Sequence, residues 1–276
     1  MLSQIRSGSF LNKESTALIS MYFTLPKIAE TRLAFSVTAK FLKFFRLSFR
    51  VGRLRRQSSG IVNFIERSIN KDDVVINIGS GEDDYLYIIL KRLGRSGKII
   101  VFESQPELYQ HLAHLKKIFK WNNFKLESLL LSDVRAEKIV YKSAHKASAY
   151  GAVVINIEDM PLEKSIYNIT VETFDNYCGK NNIKPSFLKI DAAGNELKVI
   201  KGAMCTLKTY KPKILLKCEE RLAGAQNVLE TFKYLQQLGY TGFFVLDTIQ
   251  IPIINFDFNL YQNTCNNFYC NNFIFE

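Results

Sequence analysis

Apolar residues in this chain gather into short unbroken runs separated by segments with helical spacing. Val74-Val75-Ile76-Asn77-Ile78 is one such run and predicts a buried strand. Gly79-Ser80-Gly81 follows, a turn where the backbone can take positive φ and a ligand can come close. Asp83 and Asp84 then precede Tyr85 to Leu90, which predicts a helix with acids in its first turn, closed by Gly94 and Gly97. Lys98-Ile99-Ile100-Val101-Phe102 predicts a second buried strand, and it runs into Glu103-Ser104.

Strand, glycine loop, helix, strand and acid together form the core of a Rossmann-type nucleotide site. The ligand would lie beyond the carboxyl ends of the strands, with Glu103 placed to accept from ribose hydroxyls. A dinucleotide needs a third glycine so that its pyrophosphate can rest on the helix N-terminus. Here Asp84 occupies that position, and Glu82-Asp83-Asp84 puts three acids where phosphates would lie. Unit charges ~4 Å apart interact by about 4 kcal/mol at an effective dielectric of 20. A ligand without phosphates and with positive charge, such as S-adenosyl-L-methionine, suits this loop better than a dinucleotide. A βαβ unit whose glycines only make a tight turn is the alternative.

The same punctuation continues along the chain. Ile61 to Ile69 predicts a short helix before the first strand, Pro106 to about Phe119 a helix after Glu103, and Asn123 to Leu131 a third strand. Lys138 to Tyr141 and Val153 to Ile157 read as short strands inside a longer insertion. Tyr167 to Val171, Pro185 to Asp191, Lys213 to Cys218, Tyr240 to Leu246 and Asn272 to Phe275 read as further strands. Helices are expected from Gly194 to Leu207, with Leu197, Val199, Ile200 and Met204 turned inward, and from Ala223 to Leu238. Alternating strands and helices predict an α/β fold with a mostly parallel, doubly wound sheet.

Composition adds a boundary. Of the net charge of +11, +9 lies in residues 1–60, where 11 Lys and Arg face only Glu14 and Glu30. We read residues 1–57 as a basic extension and 58–276 as the catalytic-type domain. Between Thr31 and Gln57, Lys40, Lys43, Arg46, Arg50 and Arg53 share a helical stripe, while Phe41, Leu42, Phe45 and Phe49 form a broad apolar side. Such a helix suits an anionic membrane surface through residues 31–57. Packing of its Phe side on the domain or on a second copy, as in a homodimer, is the competing reading. Nucleic acid is not expected as a partner of this chain, and on this helix the aromatic residues lie on the wrong side from the Arg stripe.

Five cysteines have no paired metal spacing, so no metal is expected. Cys205 and Cys218 read as buried thiols, and Cys265 and Cys270 as free thiols in a reducing compartment. His111 and His114, with no third ligand nearby, read as surface residues. The expected location is the cytoplasm, with peripheral membrane contact if the basic helix binds lipid. No apolar run reaches the ~18 residues of a membrane span.

Two stretches resemble the FkbM family of S-adenosylmethionine-dependent methyltransferases. Ile76 to Gly81 with Glu103-Ser104-Gln105-Pro106 resembles the family's Asp-x-Gly-Ala-Asn-x-Gly and Phe-Glu-Pro-x-Pro. Thr173-Phe174-Asp175, Lys184 to Asp191, Gly194-x-Glu196 and Lys201-Gly202-Ala203 resemble its Thr-Leu-Asp, Ile-Lys-Ile-Asp-Val-Glu-Gly-x-Glu and Lys-Gly-Ala. The resemblance implies a Rossmann-like class I methyltransferase fold, a mostly parallel seven-stranded sheet with helices on both faces and a last strand antiparallel to the rest. It implies S-adenosyl-L-methionine as cofactor and O-methylation of a hydroxyl on a sugar, glycan or other small metabolite. Asn77, Gly79, Ser80, Gly81, Glu103 and Ser104 are the expected cofactor-binding residues. Asp191, with Glu196, is the expected catalytic group; a cap of the next helix is the competing reading for Asp191, and an offset to its dipole that for Glu196. Glu219 and Glu220 could face the same cleft. The chain departs from the family pattern at Asn77 for Asp, at Gly81 and Asp83 for Asn and Gly, and at Ala193 for Glu. These departures keep open a degenerate domain held at a membrane or partner by its basic helix. A nicotinamide-linked oxidoreductase is disfavoured by the acidic loop and the lack of a Tyr-x-x-x-Lys pair.

Overall fold

The computed structural model describes residues 51–79, 84–142, 153–154, 165–266 and 269–276. The loop at Ser80–Asp83 and most of the basic extension, including residues 31–50 of its expected helix, lie outside the described residues. Residues 51–57 are helical, and the helix stops at Ser58.

The β-branched runs form the strands at the centre. β1 (Val74–Ile78) pairs in parallel with β2 (Lys98–Phe102) on one side and β8 (Phe187–Ile190) on the other. β3 (Phe124–Glu127) extends β2, and β9 (Lys213–Lys217) extends β8, all parallel. The last strand, β12 (Asn272–Phe275), inserts antiparallel between β9 and β10 (Gly242–Leu246), as the family pattern implies. A further strand, β11 (Ile249–Pro252), pairs antiparallel with β10. The sheet therefore has eight strands rather than seven, in the order β11-β10-β12-β9-β8-β1-β2-β3.

A second, four-stranded sheet lies in the insertion after β3. Its order is β4 (Leu129–Leu131), β7 (Ser165–Glu172), β5 (Ala136–Lys142) and β6 (Val153–Val154). The stretch from Asn123 to Leu131 is thus two strands in two sheets, because the chain leaves β2's edge at Ser128 and pairs with β7.

Both faces of the main sheet are buried, as parallel strands require. Ile76, Ile78, Ile100, Phe102, Leu188, Ile190, Ile214 and Leu216 pack with α4 (Phe174–Asn181), α5 (Glu196–Lys201), α6 (Met204–Tyr210) and α8 (Ala225–Gln237) in one cluster. On the other face, Phe64 of α1 (Ser59–Ser68) meets Phe187 at 5.7 Å between ring centres. α2 (Asp84–Leu93) buries Leu86, Ile89 and Leu93, and α3 (Pro106–Phe119) buries Leu112.

The single helix expected from Gly194 to Leu207 is two helices, α5 and α6. A Cβ at Gly202 would lie 2.0 Å from the Ser132 carbonyl oxygen, and Asp175 N–H donates to the Gly202 carbonyl at 2.9 Å. The chain is pinned there and turns, which changes the helical phase. Met204 is therefore 36% exposed instead of inward, and Cys205 is exposed instead of buried. The helix expected from Ala223 is likewise broken at Gly224, between the single turn α7 (Glu220–Ala223) and α8. All five cysteines are free, and His111 and His114 are exposed. Among the described residues no helix is long and apolar enough to cross a membrane, and no cluster of His, Cys, Asp and Glu could hold a metal.

Candidate active site

The site lies where β1, β2, β8 and β9 end. Gly79 follows β1 with φ +69°, and its N–H donates to the Phe102 carbonyl at 3.0 Å, tying the first loop to the end of β2. Asp191 follows β8, and its N–H donates to the Ile78 carbonyl at 2.9 Å. A Cβ on Gly79 would lie 2.0 Å from the Asp191 carbonyl oxygen, so only glycine lets the two loops meet.

Glu103 is 3% exposed at the end of β2, and one of its carboxylate oxygens accepts the Gln105 N–H at 2.9 Å. Ser104 is half-buried beside it. Asn77 is fully buried inside β1, with Lys189 as its register partner on β8. Ser80 and Gly81 fall in the undescribed loop.

Strand register brings together residues the sequence reading left apart. Asn77 lies opposite Lys189, and Lys189 opposite Leu215, so Asn77, Lys189 and Lys217 share one face of the sheet. The Asp191 carboxylate sits between two of them, 3.3 Å from Lys217 Nζ and 3.9 Å from Lys189 Nζ. Lys189 also reaches the Gly79 carbonyl at 3.4 Å. Its 5% side-chain exposure is unusual for lysine, and that burial is sustained by these oxygen partners. Asp191's side chain is 26% exposed, open enough to meet a ligand.

Lys217 lies 3.6 Å from Glu219, and Glu219 is itself 3% exposed. It accepts from Arg221, from the Tyr269 hydroxyl at 2.9 Å and from the Asn271 amide at 3.1 Å. Burial alone would raise its carboxyl, but Arg221, Tyr269 and Lys217 outweigh that and hold it below the ordinary value. Glu219 thus belongs to a braced ion-pair network beside Asp191. Glu220 is half-buried, and its backbone N–H donates to Gln262.

Glu196 is placed differently. It is 2% exposed, and its carboxylate accepts the N–H groups of Ala192 at 3.0 Å and of Gly194 at 3.0 and 3.1 Å. It folds back onto the loop that follows Asp191, where Ala193 and Gly194 take φ of +50° and +97°. Glu196 is a brace for this loop, and the buried Cys218 thiol lies 3.8 Å from it. Burial raises its carboxyl, more than the backbone donors lower it.

The Thr173-Phe174-Asp175 and Lys201-Gly202-Ala203 signatures also have a shared structural cause. Thr173 caps α4 through Asn176 N–H at 3.3 Å. Asp175 caps α6, accepting Cys205 N–H at 2.8 Å and Thr206 N–H at 2.7 Å. Gly202 is the close approach between them.

A parallel sheet with one inserted antiparallel strand, a glycine turn after the first strand and a buried acid after the second define the class I methyltransferase architecture. The methyltransferase FkbM domain model matches residues 73–241, and the chain belongs to that family. S-adenosyl-L-methionine is the methyl donor that the family resemblance implies. The residues fit that donor. The positive-φ turn at Gly79 ends the first strand, and the buried Glu103 carboxylate ends the next.

Among solved structures, the methyltransferase FkbM from Methylobacillus flagellatus KT superposes with a TM-score of 0.51 at 12% identity. The match covers 75% of this chain and 44% of that one, so this chain spans less than half of that protein's length. The O-methyltransferase from Bacillus cereus, in complex with SAH, matches with a TM-score of 0.44 at 11% identity over 99% of this chain and 95% of that one. A SAM-dependent O-methyltransferase from Thermotoga maritima matches with a TM-score of 0.40 at 12% identity, over 78% and 63%. No curated protein is significantly similar in sequence.

Proposed function

We propose that this methyltransferase acts on a hydroxyl of a sugar, glycan or other small metabolite, with Asp191 as the group that receives the acceptor. The observation that carries the reading is the Asp191 carboxylate. It is partly exposed at the end of β8, in backbone contact with the donor-side turn at Gly79 and held between Lys217 and Lys189. The donor supplies an electrophilic methyl on a sulfonium. A hydroxyl oxygen taking that methyl would displace the thioether and would have to give up its proton. Asp191 accepts the hydroxyl's hydrogen bond and then its proton, while the two ammonium groups fix the carboxylate's direction. The bound geometry converts an encounter into a preset displacement, which supplies much of the rate. Glu103 would hold the ribose hydroxyls of the donor.

A second reading rests on Asn77 and Ala193. Each replaces a carboxylate of the family pattern near the site, so the domain could have lost the chemistry and kept only the fold. Calorimetric titration with S-adenosyl-L-methionine separates the two. Binding supports the enzyme, and no binding by the intact chain supports the degenerate domain. With donor binding in hand, labelled donor is screened against hydroxylated sugars and metabolites. Asp191→Asn should then lower turnover about 10²–10⁴-fold with donor affinity unchanged. Wild-type turnover in that variant would remove Asp191 from the mechanism.

A further inference from the structure

The pole of the sheet opposite the methyl-transfer site carries a cleft of about 350 Å³, lined by Ala113, Lys116, Lys117, Lys120, Trp121 and Asn122. Its volume is within the range of small-ligand pockets. It forms because α3 ends abruptly. Lys120 takes the left-handed conformation at φ +53°, and both Lys120 and Trp121 donate their N–H groups to the Lys116 carbonyl. This reversal lays the Trp121 ring against Phe119, stacked at 5.1 Å and 21°, and against the buried Phe124, tilted at 5.7 Å. The indole is half-buried and lines the cleft.

The surrounding charge is of one sign. Residues 91–98 and 114–122 carry Lys91, Arg92, Arg95, Lys98, Lys116, Lys117 and Lys120, and no acid. The two segments are held side by side by Asn123, whose amide donates to the Gly94 and Gly97 carbonyls at 2.9 Å each. Asp72 and Asp73 lie at the same end of the sheet, yet among the described residues no ion pair involves Lys116, Lys117 or Lys120. Cations at a helix C-terminus offset its dipole, which accounts for some of the lysines. It does not account for a supported indole set among them.

We propose that this cleft binds a nucleotide unit of a single-stranded nucleic acid, its base stacked on Trp121 and its phosphates on Lys116, Lys117 and Lys120. On the basic extension the sequence pattern predicts aromatic residues and cations on opposite sides of a helix, which argues against such a ligand there. At this cleft they line one surface, which is the arrangement base stacking with backbone neutralisation requires. The site is separate from the methyl donor's and does not depend on it.

Trp121 is the chain's only tryptophan, so its emission reports on this cleft alone. The intact chain is titrated with an oligouridylate about eight nucleotides long and, separately, with UMP and with phosphatidylserine vesicles. Saturable quenching by the oligomer is expected, weakening as salt rises from about 50 to about 200 mM. Quenching by UMP as well would make a free nucleotide the ligand, and quenching by the oligomer alone would make it a strand. By anisotropy of labelled oligomer, Trp121→Leu should bind about 5- to 150-fold more weakly, while Trp121→Phe keeps most of the affinity. The combined Lys116→Gln, Lys117→Gln, Lys120→Gln variant should lose at least about tenfold. Oligomer binding without quenching, or with equal affinity in Trp121→Leu, would place the polyanion on the extension and overturn the proposal. An emission change with vesicles but not with oligomer would overturn it in favour of a membrane.

Discussion

Gly79 and Asp191 meet backbone to backbone, so closely that one added methyl on Gly79 would overlap the Asp191 carbonyl oxygen. This contact joins the turn proposed for the donor to the carboxylate proposed for the acceptor. Gly79→Ala adds both positive-φ strain and that overlap, and should cost about 2–4 kcal/mol of stability. Gly94 has a similar φ of +65° but open space around it, so Gly94→Ala should cost only about 1 kcal/mol. Urea midpoints of the two variants make the comparison. Equal losses would mean that the loops can separate freely.

Glu103→Ala should weaken donor binding by about 1.5–3 kcal/mol, the usual range for hydrogen bonds to a charged group. Titration calorimetry reads the change directly. Unaltered affinity would take Glu103 out of the donor site and leave it as the residue that accepts Gln105 N–H.

Glu196 should make stability depend on pH. Burial raises its carboxyl above the ordinary 4.5, so the folded chain binds this proton more tightly than the unfolded chain. Its contribution is complete below the ordinary value and is lost as pH rises through the raised one. As pH rises above the ordinary value the wild type should lose stability from this group, and Glu196→Gln should flatten that slope. Denaturant unfolding at several pH values provides the test, and an identical slope in the variant would refute the assignment.

Asp175→Ala uncaps the first turn of α6 by removing the acceptor of Cys205 and Thr206 N–H. A loss of about 1–2 kcal/mol is expected. That corresponds to a fall of roughly 2–8 °C in Tm for a domain of this size. Donor affinity measured well below Tm should not change, which separates a fold signature from a site residue.

If the basic stripe of residues 31–57 binds anionic lipid, replacing Lys43, Arg46, Arg50 and Arg53 with Gln should release the chain from acidic vesicles. Each such residue near an anionic surface contributes about 1 kcal/mol, and added salt should weaken the wild type in the same direction. Vesicle co-sedimentation distinguishes this from a packing helix, for which the wild type would stay in the supernatant at low salt.

Residues that act through local pattern were legible in the chain. The run Phe187-Leu188-Lys189-Ile190 with its acid, and Val74 to Ile78 with its glycine, announce buried strands and the turns that follow. β12 was readable for the same reason. Features made by long-range contact were not. Lys217 meets Asp191 only because β8 and β9 pair with Ile190 opposite Leu216, and no spacing along the chain encodes that. The lone lysine at position 189 in an apolar run was a signal that a buried cation needed an oxygen partner. Met204 was misplaced because the kink at Gly202 comes from Ser132, some seventy residues upstream. β11 follows the tight turn at Asp247, φ +54°, a hairpin cue beside Thr248 that apolar periodicity does not register.

The place of β12 sets an order of assembly during synthesis. β10 and β11 reach the parallel strands only through Asn272–Phe275. While the ribosome is still adding residues beyond Leu246, β9 presents an unfilled edge, and the β10–β11 hairpin has no sheet to join. The nascent chain therefore carries two mismatched strand edges until its last described segment emerges. Those edges are ready templates for pairing with another chain. Anything that stalls translation just before Asn272 should yield a product that aggregates, although every residue named at the active site would already have been made.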